Sequence, residues 1–327
     1  MTNPDPRTTL RFDIGIVGGG PAGLSAAIWS VRYGRSVLLV DSGDPRNWET
    51  RGINGYLGLP GVRPAELRGE GRQQLKTYGA TLIDARVSHV TRETDASADD
   101  SPFRFTIDGH PTLETRRVLL AIGMCDVWPD IPGLNQVYGA NAHVCPDCDG
   151  YDARGKRVAV IGHGRRAVAM ALELTTWTAS ITIVTNGHAA DIDDDALQQK
   201  LDDCGIKVLT EKVEELRHDG DMLTALQFVG GASLVIDKLF FTIAQLPADD
   251  IGAELGCARD RGGHLTVNDR FATSVPGVYA AGDITPGPQL AVRAAAAGAV
   301  AAMDMHRSLV PDARTLQAER RAEPVAR

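Results

Sequence analysis

The sequence has 327 residues and a formal net charge of −8, and these two values already exclude several classes of protein. A chain of this length is too long for an ordinary single core and predicts about two domains. The negative charge disfavours a nucleic-acid partner and an anionic membrane surface. Five cysteines, an odd number in so long a chain, favour a reducing compartment with one working pair over a disulfide framework.

No targeting or membrane-spanning segment is predicted. Met1 to Leu10 is polar and contains two prolines, so it does not resemble a signal peptide. The alanine-rich stretch from Leu290 to Met303 is interrupted by Arg293 and is too short to span a bilayer. We therefore expect a soluble cytoplasmic protein with no membrane partner.

The first predicted elements form a dinucleotide-binding pattern. A strand over 12–17 is followed by a glycine-rich turn, a helix over 24–33 and a second strand over 36–40 that ends at Asp41. Glycine-rich turns also occur for packing alone, but this full order favours a pyrophosphate at the helix N-terminus and a ribose 2′-hydroxyl on Asp41. The pattern predicts FAD or NAD, not NADP. The predicted binding residues are Gly18, Gly20, Pro21, Ala22, Gly23 and Asp41.

A loop over 42–61 follows and contains Arg46, Asn47 and Asn54. It is either a polar surface loop or long enough to reach the ring end of the cofactor. The next predicted elements are a helix over 64–78, small strands between 81 and 120 with a hydrophilic turn at 95–101, and a strand over 118–122 that leads into Gly123.

A dithiol motif, Cys145-Pro146-Asp147-Cys148-Asp149-Gly150, lies at the centre of the chain. Two cysteines at this spacing can close a small disulfide ring, which predicts a reversible redox couple with Asp149 placed to give or take a proton. A zinc site with His143 as third ligand is the alternative, but structural zinc needs four ligands and no second cysteine pair has zinc-ribbon spacing. Two buried structural thiols would not explain Asp149 and Gly150. We predict no metal.

A second dinucleotide pattern follows, with a strand over 156–161, the turn from Gly162 to Ala167, a helix over 168–177 and a strand over 181–185. At the end of that strand, where an acid or a basic cluster would hold a ribose, the sequence has Asn186-Gly187-His188, and four aspartates follow. This composition favours a vestigial or repurposed site over a working one. The predicted elements that remain are a helix and antiparallel strands over 197–241, a buried strand ending at Asp283, a helix over 289–309 that begins at Gln289 and Leu290, and a polar tail over 311–327.

Taken together, these motifs resemble the low-molecular-weight thioredoxin reductases, from Ile14 to about Leu309. The specific signals are the first fingerprint, the dithiol immediately ahead of a second fingerprint, and the run Thr273–Asp283. The resemblance implies an α/β fold of two Rossmann-like dinucleotide-binding domains, the second inserted into the first, in a homodimeric flavoprotein with large rotation of one domain against the other. The implied domains are 1–123 and 246–310 for FAD, 124–245 for an NAD(P)H-like domain carrying the CxxC motif, and 311–327 for a C-terminal tail.

The same resemblance assigns roles to individual residues. It implies that Cys148 lies near the flavin, that Cys145 attacks the substrate disulfide, and that Asp149 is the acid/base. The first fingerprint would hold the adenosine and pyrophosphate half of FAD. The cofactor-binding residues beyond the fingerprint are Asn54, Asp283, Gln289 and Leu290 for the ribityl and flavin portions, together with Val87 and Gly123.

The arginine motif by which this family recognises NADPH is missing between Thr185 and Ala190. Related flavoproteins that lack it include ferredoxin-dependent reductases, deeply branching reductases of unknown donor, and dithiol oxidases that pass electrons to oxygen. The loop at Asp44–Asn47 resembles the oxidases, whereas the acid after Cys148 resembles the reductases. We predict an enzyme that passes electrons between FAD and the Cys145/Cys148 pair to a thioredoxin-like protein or a small disulfide, with a donor other than NADPH, such as ferredoxin. The alternatives are an NADPH-dependent thioredoxin reductase, a dithiol oxidase, and a non-catalytic flavin redox sensor.

Overall fold

The computed structural model describes residues 10–47, 49–92, 101–192 and 194–315. Most of the hydrophilic turn predicted at 95–101 and the greater part of the predicted tail therefore lie outside the described residues. The chain divides into two compact units. The first unit is made of Met1–Trp48, Pro64–Cys125 and Gln245–Arg327, and the second of Glu49–Arg63 and Asp126–Ala244.

The first unit is built on a mixed sheet whose central strands are buried. Its elements in chain order are β1 Arg11–Val17, α1 Pro21–Arg32, β2 Val37–Asp41, α2 Pro64–Thr77, β3 Thr81–Asp84, β4 Val87–Arg92, β5 Phe103–Ile107 and β6 Leu113–Leu120. The strand order is β3-β2-β1-β6-β5-β4. Strands β3, β2, β1 and β6 run parallel, while β4 and β5 form antiparallel pairs. All five residues of β2 are buried, as expected of an apolar run inside a parallel sheet.

The elements that come next in the chain belong to the second unit or lie where the chain passes between the two units. They are β7 Met124–Val127, α3 Leu134–Val137, β8 Ala142–His143, α4 Pro146–Asp149, β9 Val158–Ile161, α5 Gly164–Leu174, β10 Ile181–Val184, α6 Asp195–Asp203, β11 Lys207–Leu209, β12 Val213–Asp219, β13 Met222–Phe228, β14 Ser233–Val235, β15 Lys238–Phe241 and β16 Ala244–Pro247. A 3-10 helix, Gly150–Ala153, directly follows α4.

The second unit contains a parallel sheet of order β11-β10-β9-β15-β8 and an antiparallel sheet of order β12-β13-β14. Successive side chains of β9 point to opposite faces of the parallel sheet. Ala159 and Ile161 therefore join one hydrophobic cluster, while Val158 and Val160 join another. Because both faces are covered, β9 is apolar throughout and does not alternate with polar residues.

The chain then returns to the first unit with α7 Ile251–Glu254, β17 Val278–Ala280, α8 Ala291–Ser308 and a 3-10 helix, Asp312–Arg314. Strand β17 pairs in parallel with β6. Helix α8 crosses α1 so closely that a Cβ on Gly298 would collide with the carbonyl oxygen of Ala22. The small side chains of α8 are thus explained by this crossing. No helix among the described residues combines the length and hydropathy required of a bilayer span.

The observed elements match the predicted α/β pattern closely. The helix predicted over 64–78 ends at Thr77, and the strand predicted over 36–40 is Val37–Asp41. Two predicted elements differ by several residues: the helix predicted over 168–177 begins at Gly164, within the second glycine turn, and ends at Leu174, and the strand predicted over 118–122 is Leu113–Leu120.

Candidate functional site

Close backbone contacts shape the first glycine turn. Gly18 has a φ of 101°, and a Cβ there would collide with the carbonyl oxygen of Ala121. A Cβ on Gly23 would collide with the carbonyl oxygen of Gly18, so neither position accepts a side chain. In contrast, a Cβ on Gly20 would meet no atom within 4 Å. Gly18 and Gly23 therefore shape the turn, and Gly20 leaves space for a ligand to approach the backbone.

The N-terminus of α1 adds an electrostatic reason for anion binding. Gly20 is the N-cap residue and supplies no side-chain cap, and Pro21 follows at the first helical position. No acidic residue lies in the first turn. The N–H groups of Ala22 and Gly23 belong to the first turn of the helix, where backbone donors have no partner within the helix. Such an end attracts a phosphate through these N–H groups and the helix dipole.

Asp41, at the end of β2, lies against this turn. A Cβ on Gly19 would collide with the Asp41 carboxylate, which places the acid beside the glycines. The Asp41 Oδ1 atom accepts a hydrogen bond from the backbone N–H of Gly43 at 3.3 Å. Its Oδ2 atom contacts the guanidinium groups of Arg68 and Arg72. Neither arginine was predicted from the sequence, although their spacing of four residues on α2 places them on one helix face.

The other predicted cofactor residues of the first unit fall into two groups. Arg46 Nη1 donates to Asp283 Oδ2 at 3.1 Å and to Gln289 Oε1 at 2.6 Å, so Asp283 and Gln289 lie together. The side-chain amides of Gln245 and Gln289 also exchange two hydrogen bonds, of 2.8 and 3.0 Å. The remaining positions are Leu290, the N-cap residue of α8, Val87, whose side chain is in the core, and Gly123, which follows β6 with a φ of 71°.

In the second unit, Cys145 and Cys148 form a disulfide with their Cα atoms 5.3 Å apart. The pair sits on a short helix that its own residues cap. The Cys145 sulfur accepts a hydrogen bond from the backbone N–H of Cys148 at 3.2 Å, and the Cys145 carbonyl oxygen accepts from the N–H groups of Cys148 and Asp149. Pro146 occupies the first helical position, where a backbone N–H would have no partner within the helix, so the lack of one in proline loses no hydrogen bond. Both cysteines are half-buried, so their access to solvent is reduced but not blocked.

Two neighbours of the dithiol were not expected there. Asn54, which the resemblance assigned to the cofactor, donates from Nδ2 to the Cys148 carbonyl oxygen at 3.1 Å. The ring of Trp177 lies over Gly150, so closely that a Cβ on Gly150 would overlap it. The glycine after the CxxC-Asp motif is therefore required by packing. Trp177 follows α5 in a polar stretch, where sequence alone does not indicate a contact.

His143 contacts the acid of the motif. Its Nδ1 atom lies 3.4 Å from Asp149 Oδ2, and its Nε2 atom lies 3.2 Å from the ammonium group of Lys238. The imidazole thus has a partner on each nitrogen. Within the ranges that the structure describes, no group of three or more His, Cys, Asp or Glu side chains is arranged to hold a metal.

At the second glycine turn, two basic side chains lie against carboxylates, while Arg166 Nη1 donates to the Ile243 carbonyl oxygen at 3.2 Å. Arg165 Nη1 lies 3.2 Å from Asp194 Oδ2, and the Arg165 side chain is 76% exposed. His163 Nδ1 lies 3.1 Å from Asp191 Oδ2, and the His163 ring stacks on His188 with a centroid distance of 4.9 Å. Acidic groups therefore neutralise part of the positive charge that a ribose phosphate would need.

Comparisons with known proteins identify the family that this chain resembles. The family profile described as pyridine nucleotide-disulphide oxidoreductase matches residues 12–298. Thioredoxin reductase tcpT of Claviceps purpurea is 30% identical, over 84% of this chain and 87% of its own length. An alkyl hydroperoxide reductase component of Escherichia coli K12 is 28% identical over 85% of this chain, which spans only 54% of that relative. The crystal structure of HlmI has a TM-score of 0.86 and 30% identity, covering 94% of this chain and 95% of its own.

Proposed function

The chain belongs to the pyridine nucleotide-disulphide oxidoreductase family, and on that premise we propose that it is an FAD-dependent reductase of protein disulfides whose electron donor is not NADPH. The predicted two-dinucleotide-domain fold, the resemblance to thioredoxin reductases and the assignment to flavin-dependent disulfide oxidoreductases are confirmed by these matches. The observation that carries the proposal is the Cys145–Cys148 disulfide with Asp149 directly after it. The identity of the cofactor as FAD, the donor and the acceptor belong to the proposal.

The first glycine turn suits FAD. The space at Gly20 and the uncapped start of α1 would accept the pyrophosphate, and the Asp41 carboxylate would accept a ribose hydroxyl. Asp283 and Gln289, which already share Arg46 as a hydrogen-bond donor, would contact the ribityl and flavin portions. When bound and reduced by the electron donor, the flavin would supply the two electrons that reduce the Cys145–Cys148 disulfide.

The reduced dithiol would then act by thiol-disulfide exchange. The Cys145 thiolate attacks a sulfur of the partner's disulfide, so a mixed disulfide forms as the partner's S–S bond breaks, and the leaving thiolate takes a proton. Cys148 then attacks Cys145, which re-forms the intramolecular disulfide and releases the partner with both sulfurs reduced. Asp149 is the side chain next to Cys148 that can supply and recover the proton. We propose a thioredoxin-like protein, or a small disulfide, as the partner.

The charges around the second glycine turn support a donor other than NADPH. Asp194 engages Arg165, and Asp191 engages His163. A 2′-phosphate would have to compete with these carboxylates and would meet their repulsion. Ferredoxin as donor, and oxygen as acceptor for a dithiol oxidase, are therefore the next assays if nucleotides fail. We also propose a cytoplasmic homodimer, which light scattering of the FAD-loaded protein would test.

The decisive experiment is anaerobic mixing of the FAD-loaded protein with excess NADPH, NADH or dithiothreitol while the flavin absorbance is followed. We expect the flavin to stay oxidised with both nucleotides and to bleach with dithiothreitol, because dithiothreitol would reduce the Cys145–Cys148 disulfide and the proposed electron exchange between this pair and the flavin would then reduce the flavin. Rapid bleaching by NADPH would instead make the protein an NADPH-dependent reductase.

The cysteine variants Cys145→Ser and Cys148→Ser complete the test. Both should retain FAD and lose disulfide turnover by at least about a thousandfold, because each removes half of the redox couple. Cys204→Ser, which alters an exposed free cysteine elsewhere in the second unit, is the matched control and should keep full turnover. Turnover retained by both active-site variants would contradict the proposal.

A further inference from the structure

The carboxylate of Asp149 is contacted on both oxygens. His143 Nδ1 lies 3.4 Å from Oδ2, and the Asn54 amide nitrogen lies 3.5 Å from Oδ1. The two contacts differ in burial: Asn54 is exposed, whereas the His143 side chain is only 7% exposed. Catalytic contacts of this length often tighten when a substrate binds. The shielded contact, from His143, is therefore the one that water competes with least.

Lys238 determines which nitrogen of His143 carries the proton. The ammonium group of Lys238 donates to the Ala140 carbonyl oxygen at 2.9 Å and lies 3.2 Å from His143 Nε2. An ammonium group has donors only, so Nε2 must accept from it. The proton of a neutral imidazole then sits on Nδ1, which faces the Asp149 carboxylate. Lys238 opens β15 and His143 ends β8, and these two strands pair, so the backbone holds the arrangement.

Several charged groups surround this arrangement. Burial lowers the pKa of Lys238, with Asp152 and Asp149 acting in the opposite direction and Lys156 and Arg51 adding to the lowering. The ring of Phe240 lies 5.6 Å from that of His143 and covers it with apolar surface. The carboxylate of Asp149 and the ammonium group of Lys238 thus lie on opposite sides of an enclosed imidazole.

We propose that His143 is a positioning residue for proton transfer at Asp149, with Lys238 fixing its tautomer. The inference rests on the proposed function, in which Asp149 supplies and recovers the proton of thiol-disulfide exchange. The Nδ1–H group holds Oδ2 and stabilises the ionised carboxylate. Removing the imidazole would make the ionised form of Asp149 less stable. In that variant the Asp149 carboxyl group would therefore lose its proton only at higher pH.

The test measures alkylation of the dithiothreitol-reduced protein by iodoacetamide across the pH range, which requires neither the physiological donor nor the partner. Asp149→Asn first identifies the part of the pH-rate profile that depends on this carboxylate. In His143→Leu that part should move to higher pH by about one unit. His143→Asn should restore most of the profile, because its amide can donate from the position of Nδ1. Lys238→Met should move it in the same direction by less.

His218→Asn is the matched control, because His218 is an exposed histidine on β12 that hydrogen-bonds to the Gly220 carbonyl oxygen, and its profile should equal that of the wild type. An unmoved profile in His143→Leu, with FAD content and Tm of the wild type, would overturn the inference. So would a profile unmoved despite a lowered Tm, since that result means a packing role only. If Asp149→Asn itself leaves the profile unchanged, the inference fails together with the role given to Asp149, while loss of disulfide turnover in the cysteine variants would still support the proposed function.

Discussion

The two glycine turns of this protein share a backbone design and differ in what surrounds it. Both follow a buried parallel strand and open a helix, and both use glycine at the first and third positions, Gly18 and Gly20 in one and Gly162 and Gly164 in the other. The strand after the first turn ends in a buried acid. The strand after the second ends at Val184 and is followed by the polar or small residues Thr185, Asn186, Gly187 and His188.

This difference shows that turn geometry and ligand choice are separate properties. In dinucleotide-binding folds, glycines at these positions permit a close approach of phosphate to the backbone. The side chains at the end of the next strand decide whether a ribose is held, and with which substituent. Each property can therefore be changed by mutation while the other is kept.

The largest effect is expected from Gly20→Ala. A Cβ at Gly20 meets no protein atom within 4 Å, so the variant should fold normally, but the methyl group fills the space that a pyrophosphate needs. We expect FAD affinity to fall by about a hundredfold, equivalent to about 2.7 kcal/mol, as measured by flavin fluorescence on titration into the apoprotein.

The matching change in the second turn is Gly164→Ala. It should leave FAD affinity unchanged, although its φ of 62° costs some stability in the second unit. Equal FAD loss in both variants would mean that the two turns are not functionally distinct.

A smaller effect is expected from giving the second turn the charge that it lacks. The double variant His188→Arg and Asp191→Arg removes a repelling carboxylate and adds two guanidinium groups beside His163. We expect NADPH to bind about tenfold more tightly, since each charge-assisted hydrogen bond contributes about 1.5–3 kcal/mol before offsetting costs. Calorimetric titration measures the gain. NADH, which has no 2′-phosphate, serves as the control ligand, and an equal gain for NADH would count against phosphate recognition.

The smallest effect is expected from Asp194→Asn. The pKa of Asp194 is lowered, first because the backbone N–H of Ala196 donates to it and also because Arg165 lies beside it. A carboxyl with a lowered folded-state pKa stabilises the fold above its unfolded pKa, and that contribution is lost as the pH falls through the folded value. Because asparagine keeps the helix cap, the Tm of the variant should be only about 1 °C below that of the wild type at pH 7, and this Tm difference should disappear toward about pH 3. A Tm difference that persists at about pH 3 would rule out the charge of Asp194 as its origin.

Much of this fold could be predicted from local sequence because its signals are local. Apolar runs such as 37–40, glycines with fixed spacing and a cysteine pair each report on their own short segment, and the matching strands and helices follow. The fold class and the dithiol were predicted on these grounds. The individual binding and catalytic roles of Asn54, Asp149 and the other site residues remain predictions.

Several of the contacts that the sequence did not predict join residues far apart in the chain. Lys238 reaches His143 across 95 positions, and Arg46 reaches Asp283 across 237. The residues that flank a lysine or an arginine in sequence do not show whether its side chain has a buried partner or faces solvent. His143 was considered only as a zinc ligand, because its neighbours in sequence are cysteines, whereas its neighbours in space are a lysine and an aspartate.

The division of the chain between two units also bears on the order in which the protein can mature during synthesis. The second unit is complete once residue 244 has emerged, whereas the first unit still awaits β17 and α8. Until then α1 lacks the helix whose Gly298 packs against Ala22, and β6 lacks its parallel neighbour. Because domains generally fold as units during translation, we expect the second unit, which carries the dithiol, to fold on the ribosome before the first unit is complete.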